Sequence, residues 1–123
     1  MPLPRTKTMG MQDLVLSGVF PSATADGASL IWVSPIDGWV ERVLCVRGGT
    51  HSAPEIYGIT IGANSQLVVT GANGGAAGDV DQFELGANGS DSSVAAGGLI
   101  NIVISGDPAG ATPIGVFLVV RRR

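Results

Sequence analysis

Tyr57, Ile59 and Ile61 alternate with Gly58 and Thr60, the two-residue period of a strand with one buried face. Short strand-like runs recur near residues 14–20, 29–34, 39–47, 56–61, 67–70, 80–85, 99–104 and 114–120. Their separators include Ala25-Asp26-Gly27, Pro35-Ile36-Asp37-Gly38, Gly48-Gly49, Gly62-Ala63-Asn64, Asn88-Gly89 and Asp107-Pro108-Ala109-Gly110. Asp-Gly and Asn-Gly tolerate the positive φ angles that tight turns require. No stretch keeps apolar residues at helical spacing for three turns without a glycine intervening. Eight short strands joined by turns predict an all-β fold, a β-sandwich, jelly roll or small barrel. The expectation taken forward is a single antiparallel β-sandwich or jelly roll spanning residues 12–123. Residues 1–11, with Pro2, Pro4, Arg5 and Lys7 and no periodicity, predict an extended N-terminal arm. The Gly71–Gly78 stretch predicts a loop, with one short helical turn after it as an option.

Several strands break the alternation expected of a sandwich with one wet face. Leu30-Ile31-Trp32-Val33, Val43-Leu44-Cys45-Val46, Ile102-Val103-Ile104 and Val116-Phe117-Leu118-Val119-Val120 are apolar on both faces. One face fills the core and the other needs a second cover, or a large apolar patch is left open. Another copy of the chain, as in a homotrimer, supplies that cover; loops or the arm are the alternative.

Composition sharpens this picture. The chain has 123 residues, one domain's worth, of which 45% are hydrophobic and only 14% charged, against a usual charged share of about 25%. That is the reverse of a disordered chain. The net charge is −3, unevenly spread. Arg5, Lys7 and Arg121 to Arg123 make the ends +5, while Arg42 and Arg47 against ten acids leave the body −8. An acidic body argues against a nucleic-acid partner. The basic ends are either solvated tails or docking points for an acidic partner. The longest apolar run, Val116 to Val120, is far too short to span a membrane, and the first residues lack the apolar stretch of a signal peptide.

Candidate chemistry is sparse. Cys45 is the sole cysteine, in an apolar run that suits a core position. His51 is the sole histidine, and no Gly-x-Ser-x-Gly elbow accompanies it. Asp79 and Asp81 are weak metal candidates: in an extended segment the two carboxylates would share one side. A solvated loop or a cap explains the same residues. The Asp79–Asp81 spacing does not match a calcium loop, no phosphate-binding glycine motif is present, and no cofactor is implied. Trp32 and Trp39 fit either core or interface anchors or a sugar-stacking platform. The partner-binding candidates are therefore Pro2, Pro4, Arg5, Lys7, Trp32 and Trp39, in a chain expected not to be an enzyme.

Two stretches carry a resemblance. Phe20-Pro21-Ser22-Ala23-Thr24-Ala25-Asp26-Gly27-Ala28-Ser29, followed by Trp32-Val33-Ser34-Pro35-Ile36-Asp37-Gly38, resembles an opening seen in the head decoration, or cement, proteins of tailed bacteriophages. Gly75-Ala76-Ala77-Gly78-Asp79-Val80-Asp81, then Asn88 and Val94-Ala95-Ala96-Gly97-Gly98-Leu99-Ile100, resembles the middle of the same family, although Gly98 stands where that family's pattern has an acid. The similarity covers most of residues 20–120. It implies a β-rich, often trimeric protein of the virion, made in the host cytoplasm. Such a protein sits on the outer capsid surface, binds the major capsid protein and braces the shell against genome pressure. No catalytic residues come with the resemblance. A tail or fibre module that binds a host carbohydrate is the alternative on the same residues.

Overall fold

The computed structural model describes residues 13–21, 27–49, 55–71, 76–85, 92–106 and 112–122. The expected arm, with Pro2, Pro4, Arg5 and Lys7, lies outside the described residues, as do His51 and residues 72–75 of the glycine-rich loop. Among the described residues nine strands follow in chain order: β1 (Asp13–Phe20), β2 (Ser29–Val33), β3 (Gly38–Arg47), β4 (Ile56–Ile61), β5 (Leu67–Thr70), β6 (Val80–Glu84), β7 (Ser93–Val94), β8 (Leu99–Ser105) and β9 (Ile114–Arg122). Eight of them are the strands the apolar pattern predicts. The ninth, β7, has two residues and pairs only with Gly38 and Trp39. Two residues are too few to leave a periodic signal. Among the described residues no helix is long and apolar enough to cross a membrane.

The strands make two antiparallel sheets. Sheet I has the order β1-β9-β3-β6, with β7 beside β3, and sheet II the order β2-β8-β4-β5. The pairing is nested. β4 pairs with β5, β3 with β6, β2 with β8 and β1 with β9. One long hairpin, folded at the β4–β5 turn, is thus rolled up until β4 meets β8 and β3 meets β9. That is the jelly-roll arrangement.

The period of two decides what fills the space between the sheets. Val43 and Cys45 of β3, Tyr57, Ile59 and Ile61 of β4, Ile100, Ile102 and Ile104 of β8, and Ile114, Val116, Leu118 and Val120 of β9 are all buried. Each such aliphatic side chain contributes about 1.5–3 kcal/mol when fully buried. The residues between them point away from the core. In the strands that are apolar on both faces, Ile31, Val33, Leu44, Val46, Val103, Phe117 and Val119 therefore lie on the outside of the sandwich, exposed or half-buried. These second apolar faces divide between the two sheets, which look in opposite directions.

Parts of the two stretches quoted for the phage resemblance, residues 32–38 and 94–100, meet at one end of the sandwich. Ser34 donates its backbone N–H to Gly98 O (2.8 Å) and accepts from Gly97 N (2.7 Å). Ala96 N donates to the Asp37 carboxylate at 2.7 Å. Ser34, fully buried, donates its hydroxyl to Ile36 O at 2.8 Å. The turn after β2 and the turn before β8 are thereby locked together, with Gly97 at φ 85°, a conformation that favours glycine. In these positions the quoted residues build the fold.

Candidate protein-docking surface

Registers across sheet I set out its outer face row by row. One row runs Ser17, Phe117, Leu44, Gln82, and its neighbour runs Val19, Gly115, Val46, Val80. The next row in the other direction holds Val15, Val119, Arg42 and Glu84. Val15 and Val19 are more than half exposed, at 59% and 55%, and Val80 and Phe117 are exposed with them. The result is an apolar band across all four strands.

Along the described strands, charge lies at one end of this face. A β-bulge between Val40 and Arg42 inserts Glu41 into β3. Arg121 Nε lies 3.0 Å from Glu41 Oε1 and 3.1 Å from Asp13 Oδ1, and Gln82 donates to Glu84. Trp39, half-buried, stands opposite Arg121 in the β3–β9 register at this end. Its neighbours Gly38 and Val40 are buried, so the indole belongs to the outer face. Apolar side chains with an aromatic residue at the centre and charges at the rim are features common at protein interfaces.

Trp32 has a different place. It packs against the core from β2, and its Nε1 donates to Ser17 O of β1 at 3.0 Å. A Cβ at Gly18 would lie 3.0 Å from the indole Cζ2, so the ring rests on a residue that has no side chain. The indole joins the edges of the two sheets and occupies a carbonyl on an edge strand, one of the groups that otherwise invite strand pairing. The two tryptophans grouped as partner-binding candidates are thus separated, Trp39 on the outer face and Trp32 in the joint between sheets.

The two aspartates are separated as well. Asp79 precedes β6 in a turn, where its carboxylate accepts from Ala76 N at 2.8 Å. Asp81, inside β6, turns inward and accepts from Arg47 at 3.1 Å. The expectation that they share one side of an extended segment does not hold, because the extended backbone starts only at Val80. Among the described residues no group of three His, Cys, Asp or Glu side chains gathers to hold a metal.

Asp81 belongs instead to a buried charge cluster. Arg47, 2% exposed at the end of β3, also contacts Glu55 Oε1 at 3.3 Å, and Glu55 is fully buried. Backbone bonds hold Arg47 in place, from its N–H to Asp79 O and from Gly78 N to its carbonyl. Gly71 covers the two carboxylates: a Cβ there would sit 2.6 Å from Asp81 Oδ2. Beneath the cluster, burial pushes the Cys45 thiol up to about 12. Burial raises the Tyr57 hydroxyl too. Both groups stay protonated and inert at neutral pH.

The sequence pointed to Trp39 but not to Val15, Val19 and Phe117 as surface groups. Their signal was present in part, since the 116–120 run is apolar on both faces. β1, by contrast, reads Asp13-Leu14-Val15-Leu16-Ser17-Gly18-Val19, and nothing in that order says which apolar set faces out.

No family model matches this sequence, and no curated protein matches it. Among solved structures, the chain is similar to the tripod (BppUct-A-L) from the baseplate of bacteriophage Tuc2009, with 13% identity and a TM-score of 0.49. The match covers 100% of this chain and 70% of that one. A likeness of that size carries no functional inference.

Proposed function

We propose that this chain is a structural protein of a tailed-phage particle: a head decoration protein, acting as a homotrimer, that docks on the major capsid protein and stabilises the shell. It is not an enzyme on this reading. The observation that carries the reading is the outer face of sheet I, where Val15, Val19, Phe117 and Val80 are exposed beside the Asp13–Arg121–Glu41 corner. An apolar patch of that kind on a small sandwich marks a protein-contact site. The sequence resemblance to head decoration proteins supports the choice of partner. Its residues build the joint at Ser34, Asp37, Ala96 and Gly98. That placement supports kinship of fold and leaves the contact residues specific to this chain.

The test is binding to heads. Purified protein is added to expanded heads from the phage that encodes it, with its own gene deleted. Saturable binding at a fixed number of copies per head, with greater resistance of the heads to heat, is the expected result. Binding to tails or to host glycans with none to heads refutes the reading in favour of a fibre module.

A further inference from the structure

The outer face of sheet II differs from that of sheet I in one respect: it carries no charge. Ser29, Ile31 and Val33 of β2 lie beside Leu99, Asn101, Val103 and Ser105 of β8. Ile56, Gly58 and Thr60 of β4 continue the surface, and Val68 and Thr70 of β5 complete it. None of these twelve positions holds an Asp, Glu, Lys or Arg. Among the described residues the three most exposed of the large apolar side chains are all here, Val68 at 64% and Ile31 and Val33 at 60%.

We propose that copies of this chain pack on one another through this face, each burying Ile31, Val33, Val68 and Leu99 against a neighbouring copy. Two observations choose a second copy as the occupant. The first is charge. The chain carries −3, and Asp13, Asp37, Asp79 and Glu84 are exposed elsewhere on it. Identical acidic surfaces repel when juxtaposed, so like copies approach at lowest cost through a face with no charge. The sheet I face, with its fixed charged corner, suits a partner of different surface. The second observation is area. Ile31, Val33, Ile56, Val68 and Leu99 are 60%, 60%, 37%, 64% and 52% exposed, an open apolar patch on the order of a few hundred Å², the scale of the largest patch on a lone monomer. A standard stable interface takes about 800 Å² from each partner, so a patch of this kind can form much of its centre. Depletion of charge with retention of apolar side chains is the mark of an interface centre.

The contact rests on the self-association proposed above, but its test needs no capsid. Sedimentation of the purified chain across micromolar concentrations reads it directly. Ile31→Glu and Val68→Glu lie on opposite edge strands of the face, at positions exposed enough to keep the fold. Each should raise the dissociation constant of the oligomer by about tenfold or more and yield a monomer with unchanged circular dichroism. Val15→Glu, on sheet I, should leave the oligomer intact. Should heads then fail to bind an intact oligomer, the capsid reading falls and the self-contact stands. A wild-type monomer, an oligomer that survives Ile31→Glu and Val68→Glu, or one that dissolves with Val15→Glu overturns the assignment.

Discussion

Replacing Arg47 by methionine removes the guanidinium that Glu55 and Asp81 share, and its cost follows from their burial. The Arg47 Nη2 lies 3.3 Å from Glu55 Oε1 and 3.1 Å from Asp81 Oδ2, with the three side chains 1%, 0% and 10% exposed. At an effective dielectric of about 20, unit charges roughly 4 Å apart attract by about 4 kcal/mol. Without the cation, two carboxylates remain desolvated beside each other. Breaking a buried pair from one side costs about 3–5 kcal/mol. For a chain of this length that corresponds to a fall in melting temperature of roughly 10–20 °C. Thermal unfolding followed by circular dichroism measures it, with wild type and variant at one protein concentration. The companion variant Arg47→Met/Glu55→Met/Asp81→Leu replaces the cluster by apolar groups and should recover most of the loss, since such replacements are often neutral. If Arg47→Met unfolds within about 1 kcal/mol of wild type, the cluster is solvated in solution and the reasoning is wrong.

Other expectations follow from the same geometry. Gly71→Ala should destabilise by about 1–3 kcal/mol, because its Cβ enters the space of the Asp81 carboxylate; chemical denaturation reads the loss. Cys45 should resist alkylation at pH 8 to 9 until denaturant is added, and rapid labelling of the native protein would contradict its burial. The folded thiol is held up near 12 against an ordinary 9.0, so its contribution is complete below about pH 9 and lost as pH rises towards 12. Over that window each such group steepens the decline by about 1.4 kcal/mol per pH unit, and Cys45→Ala should flatten it. Attachment to heads should survive a salt wash from about 0.1 to 1 M, which shortens the Debye length from roughly 10 to 3 Å, and should be abolished by Val19→Asp; counting retained copies decides between apolar burial and the basic ends as the dominant force.

The strands were legible as short apolar runs, one of which (Tyr57 to Ile61) keeps a clean period of two, and because Asp-Gly and Asn-Gly punctuate the chain. What the sequence could not show was which strands share a sheet. The doubly apolar runs at 30–33, 43–46, 102–104 and 116–120 announced a second apolar surface. Only the rolled pairing reveals that Ile31 and Val103 face one way while Leu44 and Phe117 face the other. Glu55 escaped notice for a physical reason. A lone acid before a strand reads as solvated until a distant arginine is brought to it: the β3–β6 ladder sets Arg47 beside Asp81, and the other sheet brings Glu55 against Arg47. Asp79 was grouped with Asp81 by a rule valid inside a strand, and it sits in the turn outside. Trp32 was open between platform and anchor because its resting place is Gly18, on another sheet.

The nested hairpin also sets a timetable for folding. Its tip joins Ile59 to Leu67, whereas its outermost pair joins Asp13 to Arg121, 108 positions apart. Closing a long loop in one step is slow, so distant pairings wait on nearer ones. If pairing zips outward from the tip, each pair shortens the span left for the next, and β1 is laid down last. Until then Val116 to Val120 stand on an open edge, a hazard for any chain made in many copies. Val15 and Val19 arrive with that final strand. The sheet I patch is therefore complete only when folding is complete, and the act that closes the hazardous edge is the one that finishes the surface offered to a partner.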